Sequence, residues 1–189
     1  MSETTQTRTG TVHQLKVTLK GAKPPIWRRL LVPSGITLMQ LHEIVQEAMG
    51  WYNCHLHEFE INGVCFGPDD LDGWDPQPKN EATAELARLA PAGSRFTYLY
   101  DFGDSWEHVI DVEKVVAREP GQTYPTCLTG RRACPPEDCG GVWGYAELLE
   151  VVADPTHEDH EEMADWLDDD FDPEAFDLQS VNRRLRCLA

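Results

Sequence analysis

The sequence predicts an α+β fold, and three stretches carry the prediction. Leu15, Val17 and Leu19 alternate with Lys16, Thr18 and Lys20, the period-two pattern of a half-buried strand. After a turn at 21–25, residues 26–32 return as its partner. A punctuated helix follows: Thr37 and Gln40 fit a capping box, Ile36 and Leu41 the matching staple, and Gly50 a C-terminal cap. Leu38, Leu41, Ile44, Val45 and Ala48 form its apolar stripe. A strand pair with a helix packed across it opens a ubiquitin-like (β-grasp-like) mixed sheet, here elaborated by a C-terminal helical segment.

The third stretch is an aromatic hairpin at 96–110. Phe96, Tyr98, Tyr100 and Phe102 share one face, as do Trp106, His108, Ile110 and Val112 beyond the turn. Asp101 and Asp104 suit a turn that binds backbone N–H groups, with Gly103 supplying a positive φ. Before it, His55, His57, Phe59 and Ile61 fall on one strand face, and Asn62-Gly63 signals another hairpin. An acidic loop around Trp74 spans 68–80, and 81–89 reads as a short helix. The hairpin is expected to close the sheet. Residues 119–141 are too rich in Pro and Gly for regular structure, and helical patterns follow at 145–153, 156–168 and 178–188. Asp177 can cap the last, with Arg183, Arg184 and Arg186 at its C-terminal dipole end. The expected organisation is a flexible tail at 1–11 and one domain at 12–188, its sheet-forming part ending near 118.

Charge narrows the function classes. The chain carries −17, yet residues 1–33 hold six Lys/Arg against Glu3 alone, a local +5 that leaves −22 for the remainder. Between Ala133 and Asn182 there are sixteen Asp/Glu and no Lys or Arg. Phosphate neutralisation supplies most non-specific nucleic-acid affinity, so direct nucleic-acid binding is disfavoured. No apolar run reaches membrane-spanning length, and the tail lacks the apolar core of a signal peptide. We expect a cytoplasmic protein whose six cysteines are reduced or metal-bound.

Several segments together resemble one family: Pro25-Ile-Trp-Arg-Arg29, the His-Leu-His-Glu-Phe run at 55–59, Tyr100-Asp-Phe-Gly-Asp-Ser-Trp-Glu-His108, and Cys134-Pro-Pro-Glu-Asp-Cys-Gly-Gly141 with Gly144-Tyr145. Asp154-Pro155, Phe171-Asp-Pro-Glu-Ala-Phe-Asp177 and Val181-Asn182 also fit. The chain resembles the plasmid Orf-three-like family, often labelled transposon-passenger TnpR-like proteins. That resemblance implies an α+β fold with a ubiquitin-like sheet and a mobile-element context. The TnpR label implies a resolvase, but Ser34, Ser94, Ser105 and Ser180 stand in no nucleophile motif with Arg partners.

The polar constellations support two classes of function. In the first, a binding or accessory module holds a protein or small-molecule partner. Its motif residues are Trp27, Arg28, Tyr100, Asp101, Gly103, Asp104, Trp106, His108, Glu137, Asp138, Gly140 and Gly141. Trp27, Arg28 and Arg29 read either as an anion-contacting edge or as partners for the acidic C-terminal half. Pro135-Pro136 presents Glu137 and Asp138 beside the hairpin, or fixes the chain path while the glycines permit close approach to the sheet. In the second class, a metal-dependent hydrolase or nuclease-like enzyme sets His55, His57, Asp101, Asp104 and His108 around one divalent cation, zinc being the natural choice. Cys127, Cys134 and Cys139 form a looser zinc hypothesis, lacking a tight Cys-x2–4-Cys knuckle, and Cys139 is not a fixed part of the family motif.

Overall fold

The computed structural model describes residues 10–69, 77–167 and 171–189. The tail before residue 10, Trp74 with most of its acidic loop, and Asp168 to Asp170 lie outside the described residues. In chain order the elements are β1 (Thr11–Leu19), β2 (Trp27–Pro33), α1 (Leu38–Met49), β3 (His57–Ile61), β4 (Val64–Gly67), β5 (Lys79–Asn80), α2 (Leu86–Leu89), β6 (Arg95–Tyr100), β7 (Trp106–Ala117), β8 (Thr126–Arg131), α3 (Gly141–Ala153), α4 (His160–Trp166) and α5 (Leu178–Leu185).

The strands form a single sheet in the order β5–β4–β3–β6–β7–β1–β2–β8. Every pairing is antiparallel except the short parallel pair of β4 and β5. The opening follows the expectation: β1 and β2 pair, and α1 starts at Thr37 with both bonds of its capping box and ends at Gly50 in the left-handed region. The sheet then grows beyond that opening. The aromatic hairpin β6–β7 sits at its centre, between β3 and β1, instead of closing an edge. The stretch at 119–141, expected to be irregular, contributes the edge strand β8.

Parity sorts the two faces. Leu15, Val17, Leu19, Leu30, Val32, Phe59, Tyr98, Tyr100, Trp106 and Ile110 are buried in one cluster with Leu38, Leu41, Ile44 and Val45 of α1. The alternate positions carry exposed pairs such as Lys20–Glu107, Arg29–Glu113 and Arg95–Asp111. That is the one-sided pattern of an antiparallel sheet with a solvated face.

Arg28 shares its parity with Leu30 and Val32 and is buried. Its Nε donates to the Ala48 carbonyl, and Nη1 donates to the carbonyls of Trp27 and Arg131, each at 3.0 Å. The guanidinium thus closes the C-terminal end of α1, where a cation complements the helix dipole. Phe176 covers it at 4.6 Å from the ring centroid. Neither expected role holds: Arg28 is no anion-contacting edge, and its hydrogen bonds go to carbonyls instead of acids. Arg29 pairs with Glu113 at 2.8 Å, and Lys16 and Arg29 flank the Trp27 ring, each 5.3 Å from its centroid.

The C-terminal segment is fastened to β8. Asn182 Oδ1 accepts from Cys127 N at 2.7 Å while its Nδ2 donates to Cys127 O at 2.9 Å, so one amide side chain satisfies an exposed strand edge. Asp177 caps α5 through Gln179 N and Ser180 N, as expected. Gly130 has no room for a side chain: a Cβ would lie 2.6 Å from Phe176 and 2.9 Å from Arg28.

Replacing Arg28 by Met keeps most of the volume and removes the donors to three carbonyls. Urea unfolding of Arg28→Met should show a loss of about 3 kcal/mol. A loss below about 1 kcal/mol would mean that these carbonyls find other partners.

Candidate functional site

Three segments distant in sequence meet at one end of the hairpin: residues 51–55, the turn 101–105 and the loop 135–141. The turn joins Tyr100 to Trp106, which pair across the hairpin. Its positive φ values belong to Asp101 (57°) and Ser105 (56°), while Gly103 is not among the positive-φ glycines, contrary to expectation. Asp101 Oδ1 accepts from Gly103 N at 2.8 Å, and its backbone carbonyl accepts from Ser105 N at 2.7 Å. A Cβ at Gly103 would sit 3.2 Å from Asp101 Oδ1, a tight contact.

The tip of this turn docks on the paired glycines. Asp104 Oδ2 accepts from Gly140 N at 3.1 Å, placing its carboxylate at the N-terminal end of α3. A Cβ on Gly141, whose φ is +69°, would lie 2.3 Å from the Asp104 carbonyl oxygen. The Gly-Gly pair is therefore a seat for the hairpin.

Glu137 ties the other two segments together. Its Oε1 accepts from the Tyr100 hydroxyl and from Tyr52 N, and its Oε2 accepts from the Cys54 thiol, all at 2.9 Å. Tyr100 also accepts from Cys54 N at 3.0 Å. Trp51 Nε1 donates to the Pro135 carbonyl at 3.1 Å, and its ring stacks on Tyr100 with centroids 5.1 Å apart. The bond to the Glu137 carboxylate raises the Cys54 thiol above its ordinary range. Burial, followed by the same carboxylate, raises the Tyr100 phenol.

His55 lies between two acids. Its Nε2 is 3.4 Å from Asp138 Oδ1 and 3.8 Å from Asp101 Oδ2, the range of an ion pair, and this buried nitrogen makes no hydrogen bond. Among the described residues, two groups place their donor atoms within 4.8 Å of one another: His55 with Asp101 and Asp138, and His55 with Cys54 and Glu137.

The other expected ligands go elsewhere. β3 begins only at His57, so His55 and His57 do not act as a strand pair. His57 is buried, and its Nε2 donates to Glu81 at 2.9 Å. His108 is fully buried, donating from Nδ1 to Tyr98 O at 3.3 Å and packing edge-on against Trp51. Asp104 is spent on Gly140. The set His55, His57, Asp101, Asp104 and His108 thus divides, and only His55 and Asp101 stay together. Cys127, Cys134 and Cys139 belong to neither ligand group, and burial raises the Cys127 thiol to about 11 and the Cys139 thiol to about 12.

Beneath the site runs a closed ring of hydrogen bonds that sequence patterns did not reveal. Asn53 N donates to Gln46 Oε1 at 3.1 Å, and Gln46 Nε2 donates to the Tyr98 hydroxyl at 2.9 Å. That hydroxyl donates to His42 Nδ1 at 2.7 Å, and His42 Nε2 donates to Asn53 Oδ1 at 2.7 Å. The ring requires neutral His42, which stacks on His57 with centroids 3.5 Å apart. It also holds Asn53 at φ 55°, directly before Cys54 and His55. The available signal was Trp51-Tyr-Asn-Cys54 itself, polar and aromatic residues set between a helix cap and a strand.

A model of the plasmid pRiA4b ORF-3-like protein family matches residues 11–180. The chain belongs to the plasmid pRiA4b ORF-3-like family. The uncharacterized protein y4hQ of Sinorhizobium fredii (strain NBRC 101917 / NGR234) is 42% identical over 180 residues, spanning 94% of this chain and 92% of its own. The crystal structure of MM3350, a protein of unknown function from Methanosarcina mazei Go1, matches with a TM-score of 0.81 at 41% identity. It covers 90% of this chain and 97% of that one. In this ORF-3-like protein no helix among the described residues is long and apolar enough to cross a membrane.

The buried histidines give the fold an acid limit. Burial, then the neighbouring His57, lowers His42 to about 3, and burial lowers His108 to about 4. Both folded values lie below the ordinary 6.5, so the unfolded chain binds the extra protons. Their contribution is complete above pH 6.5 and lost as pH falls, toward 4 for His108 and toward 3 for His42, at up to about 1.4 kcal/mol per pH unit for each group. Urea unfolding between pH 7 and 4.5 should show this slope, and His108→Leu should reduce it by about one proton's worth. An unchanged slope would mean that His108 takes up its proton within the fold.

Proposed function

We propose that this protein is a binding module of plasmid and transposon context, with a ubiquitin-like strand-pair-and-helix scaffold that holds a small organic cation. Its hairpin and Pro-Pro-Glu-Asp loop grip each other, so the surface they offer a ligand is what they build jointly. That surface includes a cavity of about 320 Å³ between α3 and α4, which begins at Asp138 and Cys139 of the loop.

The observation that carries the reading is the lining of this cavity. Leu148, Val151, Met163 and Trp166 give it an apolar floor, and Asp138, Glu147, Asp159 and Glu162 surround it with carboxylates. Among the described residues, no Lys or Arg lines it. A ligand with an apolar body and an ammonium group satisfies both halves, and Trp166 offers a ring face for a cation–π contact. The plasmid name of the family supports the mobile-element setting, in which an accessory role fits better than the resolvase chemistry of the TnpR-like label. Ser34, for instance, is buried between Thr11 and His13 instead of being available as a nucleophile.

Thermal unfolding with millimolar 1,5-diaminopentane, against 1,5-pentanediol as the uncharged control, tests the reading. The diamine should raise Tm by a few degrees and the diol should not, with the response weakened by salt and by Glu147→Gln with Glu162→Gln. Equal responses to both compounds, or none, would overturn it.

A further inference from the structure

We infer that His55, Asp101 and Asp138 form a binding site for one first-row divalent cation of the zinc type. The three donor atoms lie within 4.8 Å of one another, one pair at the spacing an ion needs and another a little wider. With metal–nitrogen and metal–oxygen bonds of about 2.0–2.2 Å, two ligands at tetrahedral positions lie about 3.4 Å apart. His55 Nε2 stands 3.4 Å from Asp138 Oδ1 and 3.8 Å from Asp101 Oδ2. Neither approach makes a hydrogen bond, and Nε2 has no hydrogen-bond partner despite being buried. A cation seated among the three atoms satisfies that nitrogen and balances both carboxylates.

The surroundings orient the donors. Asp101 commits Oδ1 to Gly103 N at 2.8 Å, which leaves Oδ2 for the ion, the kind of outer bond that fixes a ligating carboxylate. Asp101 and Asp138 both hold left-handed backbone, with φ of 57° and 60°, and both aim a carboxylate at the same imidazole. His55 itself packs edge-on against Tyr100, with centroids 5.7 Å apart. Zn²⁺ accepts His nitrogen and Asp oxygen as ligands, and the imidazole favours it over Mg²⁺ and Ca²⁺, which take oxygen donors. Cys54 donates a hydrogen bond to Glu137 Oε2 at 2.9 Å and stands beside the site as a thiol.

The coordination has an open side. The Asp138 side chain is 71% exposed and that of His55 28%, so solvent reaches the ion. Three protein ligands with a vacant fourth position characterise a catalytic zinc, while structural sites are closed by four. The site is thus suited to hold a water or an oxygen-donor ligand on the metal.

The test uses the full chain, purified without a histidine tag, stripped with a chelator and titrated with Zn²⁺. One equivalent should bind and raise Tm, and Co²⁺ should give visible bands of a nitrogen–oxygen site. Sulfur-to-cobalt charge transfer should be absent, and Cys54→Ser should leave the spectrum unchanged. His55→Ala should abolish stoichiometric binding, and the exposed Asp138→Asn, which leaves the core untouched, should weaken it by roughly 10- to 100-fold. Less than about a tenth of an equivalent bound to the wild type would overturn the site. So would undiminished binding by His55→Ala, which would place the ion elsewhere. Asp138 belongs to both the metal site and the cavity lining, so residues of one site alone separate the two readings: Glu147→Gln should keep its zinc, and His55→Ala should keep its diamine response.

Discussion

The carboxylate of Glu137 is the junction on which the rest of the site depends. It receives the Tyr100 hydroxyl, the Tyr52 amide and the Cys54 thiol, one from the hairpin and two from the segment after α1. Charge-assisted bonds of this kind are roughly twice as strong as neutral ones. The Pro135-Pro136 pair fixes the approach, and Gly140 and Gly141 then let the Asp104 backbone come within contact. Without the junction, Asp138 and His55 have no common frame, and the cavity beside α3 loses one wall.

The frame below is as constrained. His42, Gln46, Tyr98 and Asn53 close a ring in which every buried donor faces an acceptor. Such a network is favourable when complete and costly when broken, which ties the position of Cys54 and His55 to the packing of α1 on the sheet. The fold thus hands rigidity from the core, through Asn53, to the exposed donors.

Much of this was legible in period and punctuation. The capped helix, the strand pairs and the Asp177 cap formed where local rules placed them. Parity also put His57 and His108 on the core face, beside Phe59 and Ile110, whereas Arg28, read as an exposed cation, lies on that face beside Leu30. What parity does not carry is partner choice. His57 finds Glu81 and His108 packs on Trp51 because of the strand order, which places β6–β7 in the middle of the sheet. Nor does composition separate a strand such as β8 from a loop, because β8 owes its regularity to β2 on one edge and Asn182 on the other. The Asp138–His55 approach joins residues 83 positions apart, beyond any local pattern.

The most direct test of this interlocking is a double-mutant cycle on Tyr100→Phe and Glu137→Gln, read by urea unfolding. If the two motifs hold each other through this bond, the pair should show a coupling of about 1–2 kcal/mol. Losses that add to within about 0.3 kcal/mol would contradict it, leaving the hairpin and the loop as neighbours that do not depend on each other.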